Sequence, residues 1–481
     1  MASATHQYLT SVLRRGTVRW PQDDHLPDWE DRPRVRKAYP VRGAVPFESL
    51  VSADEQDLRV HLTALHRAFA FQDRRIEVSP NDRPARSLSS TEPTYGRAAS
   101  SGGGLYPIEL YLRTGGSGTV DPGTYYVDWV GQQLVPLALG PSGGSSRQEI
   151  FVTVRYWANA FKYGEFTYHV VAMDVGSLLL TFREVIAERG VADPDVRIVS
   201  GQSATRSALG IEGAEEDVYA VITVRDGAQP DTPPVALVPA ERSRTVTRFL
   251  QTAGVIAASD DEGPGERRWS TPGLGLEDLE TALRRRHSSF GRFRAAPVDG
   301  DTFRHVAAMS LRAADGLATS LGTAPVELLA ACWTVTGLDA GVHRFDRQDA
   351  RWVPTGLGLE QEDLQRHYFL DNYDLGQAGA AAFPMVTPRD FVEEGRAGIG
   401  YRALNALVGA LAQSFYLAAA DAGLGCGAML GFDNTGAGSS LLPEPPTDLD
   451  SEWPYLLLAF GAERLVMHRF TGTFPTAEVH A

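Results

Sequence analysis

The sequence predicts two related lobes of strands and helices joined in one chain, a fused pseudo-dimer. Three observations predict it. A shift of 218 residues carries Thr63, Ala64 and Leu65 onto Thr281, Ala282 and Leu283. The same ungapped shift carries Gly104, Pro107, Glu109 and Leu110 onto Gly322, Pro325, Glu327 and Leu328, and Gly123, Asp128, Val135, Pro136 and Gly140 onto Gly341, Asp346, Val353, Pro354 and Gly358. After a small insertion a long apolar helix recurs, with Tyr168, Gly176, Phe182, Ala187 and Gly190 matching Tyr401, Gly409, Phe415, Ala420 and Gly423. A repeat of this size is a whole domain copied once.

Composition sets outer bounds. A chain of 481 residues suits two or three domains. A net charge of −15 opposes nucleic acid or an anionic membrane surface as the main partner. The two cysteines, Cys332 and Cys426, lie far apart and match no metal-ligand spacing, so neither a disulfide framework nor a zinc site is expected. Residues 1–20 lack a signal-peptide core and no run of 18 apolar residues occurs, so a cytoplasmic protein without a membrane span is expected.

In chain order, residues 1–62 read as an arm with a short helix at 8–15 and an extended connector at 28–45. Residues 63–226 form lobe one: a helix at 63–71, a polar loop at 81–97, and a glycine loop leading into an alternating strand from Ile108. Strands follow at 123–128, 133–136 and 149–156, then a helix at 168–189 closed by Gly190, then strands at 195–200 and 217–224. Residues 227–275, rich in Pro, Gly and acids with a short helical patch near 244–253, read as the linker. Residues 276–475 form lobe two, with a strand at 453–461.

The candidate site comes from where the copies diverge. Ser100-Ser101-Gly102-Gly103-Gly104-Leu105-Tyr106-Pro107 carries three successive glycines, which let a backbone approach a ligand and turn its N–H groups toward it. The other reading is a plain turn before a strand. In the second copy this loop has become Ser320-Leu321-Gly322-Thr323-Ala324. Conversely, His66-Arg67-Ala68-Phe69-Ala70 in the first copy is answered by Arg284-Arg285-Arg286-His287-Ser288-Ser289-Phe290-Gly291-Arg292 in the second. Guanidinium forks and hydroxyls at a helix start suit a phosphate, the alternative being a solvated charged face. Each copy keeps what the other has lost, as one composite site between two lobes would leave it.

Lys162-Tyr163-Gly164 occurs only in lobe one; lobe two has Gly395-Arg396-Ala397 in its place. A lysine beside a tyrosine, partly desolvated, suits proton chemistry near neutral pH, with burial and nearby positive charge expected to lower either pKa. An exposed lysine and a packed tyrosine is the alternative. Gly423 to Asp433 offers backbone amides and little side-chain bulk to a planar ring, or else a tight helix-to-strand turn. Arg464 adds a second positive charge near a phosphate or sits on the surface. His169 reads as a weaker candidate, and Asp174, in the apolar helix, is given no role. No Ser-His-Asp or Cys-His set, P-loop or metal-ligand spacing is present.

These motifs together resemble the SagB-type, thiazole/oxazole-forming branch of the nitroreductase superfamily. The tandem form also resembles thiopeptide and cyanobactin-type dehydrogenases. The resemblance covers roughly residues 60–475 and rests on Ser101 to Pro107, Lys162 to Gly164, the helix from Tyr168, Arg284 to Ser288 and Gly423 to Asp433. It implies an α+β fold of two tandem nitroreductase-like lobes, each a mixed central sheet flanked by helices, with FMN held between them. It implies that Arg284, Arg285, Arg286 and Ser288 hold the FMN phosphate. Ser101, Gly102 and Gly103 would face the flavin from the other lobe, and Gly425, Gly427 and Leu430 would lie on its ring. Lys162 and Tyr163 would be the catalytic pair. The arginine run is more stretched than the family's compact one, which leaves open which arginines meet the phosphate. The activity implied is an FMN-dependent azoline dehydrogenase that oxidises thiazolines or oxazolines of a ribosomal precursor peptide to azoles. Its partners would be that peptide and a cyclodehydratase complex, with the chain a monomeric pseudo-dimer or a homodimer. Two rivals stand beside it: an NAD(P)H-dependent flavin reductase of nitro, quinone or alkene substrates, and a non-catalytic scaffold for the peptide.

Overall fold

The computed structural model describes residues 3–18, 25–77, 94–141, 145–191, 193–211, 215–237, 243, 249–370, 372–464 and 469–473. An N-terminal helix α1 (Ala4–Leu13) and a short strand β1 (Val45–Pro46) precede lobe one. That lobe runs α2 (Gln56–Phe69), β2 (Phe71–Glu77), β3 (Thr94–Arg97), β4 (Ile108–Thr114), β5 (Gly123–Asp128), β6 (Gln133–Leu139), β7 (Gln148–Arg155), α3 (Trp157–Tyr163), α4 (Thr167–Glu188), β8 (Asp195–Ser200), α5 (Ser203–Leu209) and β9 (Glu216–Arg225). The connecting stretch holds α6 (Leu250–Asp261) and β10 (Gly265–Trp269). Lobe two runs α7 (Leu279–Arg285), α8 (Gly300–Leu321), β11 (Glu327–Cys332), β12 (Gly341–Asp346), β13 (Arg351–Pro354), α9 (Gln361–His367), β14 (Ala380–Val386), α10 (Ala397–Asp421), β15 (Gly425–Met429), α11 (Asn434–Leu441), β16 (Trp453–Pro454), β17 (Leu457–Gly461) and β18 (Arg469–Thr473).

The two large sheets repeat one topology. In lobe one the strands lie in the order β6-β5-β4-β7-β9-β8, and in lobe two β13-β12-β11-β14-β17-β15, matching one for one. The ladders among the described residues run antiparallel, where the resemblance implied a mixed sheet. The lobes meet through their long helices, α4 and α10, which occupy equivalent places in the repeat. At their crossing, a Cβ on Gly176 would fall 1.9 Å from Ala406 O, and one on Gly409 would fall 2.1 Å from Met173 O. Gly176 and Gly409 are repeat partners, and so are Met173 and Ala406. Each glycine thus admits the other helix's backbone, which is why both copies keep one here. Tyr168 and Tyr401, also repeat partners, stack on one another with centroids 5.6 Å apart. The pseudo-twofold axis passes between them. α10 is apolar and long enough to span a membrane by composition, but it is buried along its length between the lobes. Arg402 on α10, fully buried, reaches into lobe one to Val199 O, Val218 O and Asp217.

Several expectations change in the structure. The arm's helix, expected at 8–15, is α1 at Ala4–Leu13 and packs in the seam, with Tyr8 Oη donating to Glu165 O at 2.6 Å. Residues 25–31 wrap α3, with Asp28 N donating to Phe161 O at 2.8 Å and the Trp29 ring on Phe161. The helix expected from residue 63 starts at Gln56, after a turn closed by Ser52 and Glu55. Of the polar loop at 81–97, residues 94–97 are β3, and 81–93 lie outside the described residues. The linker's helical patch is α6; its expected first residues, 244–248, also lie outside them. The linker further supplies β10, which pairs with β8. That pairing makes the two lobes unequal. β15, the counterpart of β8, ends its sheet, whereas β8 is covered. The same strap reaches the counterpart of the glycine loop: Ser320 Oγ donates to Arg268 O and accepts from Ser270 N at 3.0 Å.

Candidate functional site

The glycine loop is held from beneath by the two central helices. Ser101 Oγ donates to Asp174 Oδ2 at 2.7 Å and Gly102 N to Asp174 Oδ1 at 2.9 Å. Ser100 N donates to Ser177 Oγ at 2.8 Å and to Gln413 Oε1 of α10 at 3.1 Å, while Gln413 Nε2 donates to Ala98 O. Tyr106 N donates to Ser101 Oγ at 2.8 Å. The Gly102 amide is therefore turned inward to a carboxylate, not outward to a ligand as the sequence suggested. What the loop does present is Gly103, exposed at φ +65°. A Cβ there would fall 2.2 Å from Tyr163 Oη and 3.2 Å from Lys162 Nζ. The lysine–tyrosine pair, at the end of α3, is pressed against the glycine loop.

Burial sets the electrostatics of this group. Lys162 is pushed below the ordinary lysine value by desolvation and then by Arg32. Tyr163 is pushed up, by desolvation and then by Asp174, so the expected lowering of the phenol is reversed. A phenol is neutral when protonated, and burial favours the neutral form of either side chain. Asp174, 5% exposed, is raised by burial to about 7 in spite of its two hydrogen bonds and Arg97. His169 is not part of the group: it is buried in the seam beside Tyr401 Oη at 2.7 Å and held neutral.

The arginine run lies at a helix end, not a helix start. Asp278 caps α7 by accepting from Thr281 N at 2.9 Å, so Arg284 and Arg285 fall in its last turn and Arg286 follows it. Cations suit that end of the helix dipole, so the run does not sit at the positive N-terminus of α7. Arg284 pairs with Glu280, which also pairs with Arg67 of lobe one. Arg285 is exposed. Arg286 is buried and donates through Nη2 to Arg97 O at 2.7 Å. Ser288 Oγ accepts from Phe290 N, and Ser289 N donates to Cys426 O.

Gly425 and Gly427 lie on β15 beneath this crossing segment. A Cβ on Gly425 would fall 2.5 Å from Ser289 Oγ, and one on Gly427 3.1 Å from Phe290 O. Their small size thus serves the chain's own crossing. Leu430 O accepts from Arg15 of the arm. Arg464 is exposed and follows Glu463 of the cavity wall, and its backbone N donates to Arg292 O.

A cavity of about 350 Å³ opens in the seam. Lobe one lends Asp73 and Arg75 to its wall; lobe two lends Arg284, Arg285, Arg286, Ser289, Tyr416 and Gly425. Asp73 is paired with Arg75 at 2.6 Å, and Glu463, also on the wall, with His287 at 2.8 Å. Two buried polar atoms here, Arg286 Nε and Ser289 Oγ, have no hydrogen-bond partner among the described residues. Unpaired buried donors of this kind fit an anionic group such as a phosphate. Arg286 links this cavity to the strand leading into the glycine loop. Tyr373, ring-to-ring with Phe290 at 5.2 Å, interacts with both Tyr416 and Tyr163. Sequence reasoning missed Asp174, Ser177 and Gln413. Their signal was a polar side chain set within an otherwise apolar helix.

Residues 283–461 match the nitroreductase family. The matched stretch lies within the second lobe. No curated protein matches the chain. Among solved structures, a candidate nitroreductase from Anabaena variabilis aligns over 96% of this chain and 100% of its own, with a TM-score of 0.68 and 19% identity. That likeness spans both lobes and shows their nitroreductase fold. A candidate nitroreductase from Ralstonia eutropha covers 41% of this chain and 88% of its own at TM-score 0.31 and 18% identity. A chain of the E. coli microcin synthetase McbBCD complex, with truncated pro-MccB17 bound, covers 43% and 76% at TM-score 0.23 and 16% identity. Scores that low carry nothing about the reaction. Among the described residues no group of three or more His, Cys, Asp or Glu is arranged to hold a metal.

Proposed function

We propose that this chain is an FMN-dependent oxidoreductase, and within that class an azoline dehydrogenase acting on a ribosomal precursor peptide in the cytoplasm. One observation supports this reading above the others: Lys162 and Tyr163 are packed against Gly103 in the same seam that brings Arg286 to Arg97. Arg286 and Ser289, with Arg284, Arg285 and Ser288 nearby, would hold the phosphate. Ser101, Gly102 and Gly103 would border the flavin from lobe one, and Gly425, Gly427 and Leu430 from lobe two. Arg464, next to Glu463 of the cavity wall, would add positive charge near the phosphate. FMN, when bound, accepts two electrons as a hydride.

The chain's own residues do the rest. Converting an azoline to an azole removes one proton and one hydride from adjacent ring carbons. Lys162, desolvated toward its neutral amine, is the group suited to take the proton. Tyr163, held protonated, donates a hydrogen bond to the ring heteroatom or the peptide carbonyl rather than acting as a base. The seam walls orient the ring and limit water. The test is an absorbance spectrum of the purified protein, followed by addition of an azoline peptide under anaerobic conditions. A bound flavin that bleaches with the peptide supports the proposal. A flavin that bleaches only with NAD(P)H overturns it in favour of a reductase, and a chain that cannot be loaded with FMN overturns it in favour of a scaffold.

A further inference from the structure

We propose that Asp174 is the positioning residue of the site, the group that fixes the glycine loop against Lys162 and Tyr163. The proposal rests on the reading of the seam as a flavin site. Three side chains hold residues 100–102 from below: Asp174 and Ser177 on α4, and Gln413 on α10. Asp174 alone among them ionises, and it takes both the Ser101 hydroxyl and the Gly102 amide. The Ser101 hydroxyl in turn accepts from Tyr106 N, so one carboxylate orders the loop from Ser101 to the strand. On the loop's far side the next residue, Gly103, meets the Tyr163 hydroxyl. A slack loop would shift against that hydroxyl directly.

The titratable and charged groups that face Asp174 are Arg97 from β3 and Tyr163 from α3; from α10, Gln413, which does not titrate, holds the same loop at Ser100 N. An ionised carboxylate accepts both donors strongly, whereas the protonated acid gives up part of that capacity. The two bonds that hold the loop are therefore stronger above neutral pH than below it, although burying the charge itself costs the fold stability. Raised toward about 7, the acid changes state in the physiological range.

The test compares wild type with D174N, since asparagine imitates the protonated acid in size and charge. The ratio of their FMN dissociation constants, read by flavin fluorescence near pH 5.5 and near pH 8.5, cancels the titration of the FMN phosphate itself. The expected ratio is within about twofold at the lower pH and roughly tenfold or more at the higher. Hydrogen exchange of residues 100–106 reads the loop without FMN: exchange in D174N is faster than in wild type at the higher pH only. An equal FMN ratio at both pH values, or equal loop exchange, overturns the assignment. If neither chain binds FMN, the flavin reading fails and loop exchange alone decides Asp174. If D174N does not fold, S101A is expected to loosen the loop at both pH values, because it also frees Tyr106 N, and to loosen it further at the higher pH; equal loosening at both overturns the assignment.

Discussion

Arg286 of lobe two donates through Nη2 to the backbone oxygen of Arg97 in lobe one, at 2.7 Å. Arg97 lies three residues before Ser100, so this one bond ties the arginine segment to the approach of the glycine loop. Arg97 is itself fully buried, its guanidinium within 4.1–4.9 Å of the rings of Phe69, Phe71, Tyr106 and Trp129, so its backbone is a rigid acceptor.

R286M should remove both that tie and the buried positive charge at the cavity. FMN affinity is expected to fall about 10- to 100-fold, the scale of one charged hydrogen bond. R284M should change it far less, because Arg284 is engaged by Glu280. Flavin fluorescence titration of the two variants checks this; equal losses would contradict it.

K162A combined with Y163F should keep bound flavin and lose azoline oxidation by roughly 10²- to 10⁴-fold. In wild type the rate should rise with pH as Lys162 loses its proton, with its inflection below the ordinary lysine value, because burial lowers that value. A pH–rate profile without such a limb would remove Lys162 as the base.

G176A and G409A should each destabilise the chain by about 1–3 kcal/mol or more, since the added methyl meets backbone that cannot swing aside. Because the two glycines are repeat partners at one crossing, the losses should be similar. Urea unfolding of both variants measures this; a neutral substitution at either would contradict the packing.

Asp174 gives stability a pH dependence. Its value rises from 3.8 in the open chain to about 7 in the fold. Between those values the folded chain holds a proton that the unfolded chain has released. Stability therefore falls as pH rises from about 4 to about 7, by on the order of 4 kcal/mol, and the loss is complete above that window. Asparagine carries no such charge, so D174N should gain stability relative to wild type between pH 5 and pH 8. Unfolding curves at both pH values check the sign; a constant difference would contradict it.

Much of this was legible in the sequence because the two copies could be read against each other. The strands, the long helices and the glycine–arginine exchange all stand in the repeat, and the strand order then follows twice. Other features were hidden for physical reasons. Arg284 to Arg286 read as a helix start, because nothing in the run itself shows that Asp278 has already capped the helix a turn and a half earlier. Tyr163 read as a group with a lowered pKa, since burial against Asp174 is a tertiary fact. Asp174 read as a stray polar residue, because its partners lie more than seventy positions away in sequence. The strap β10 looked like linker, its sheet partner among the described residues being the end strand β8 of lobe one.

The most direct measurement is the ratio of flavin to chain after reconstitution with excess FMN. The strap covers one of the two pseudo-symmetric sheet edges and engages Ser320, while the other seam keeps the arginines, the cavity and the lysine–tyrosine pair. The account predicts one FMN per chain, held about 10- to 100-fold more weakly in R286M. Two per chain, or none, would contradict it.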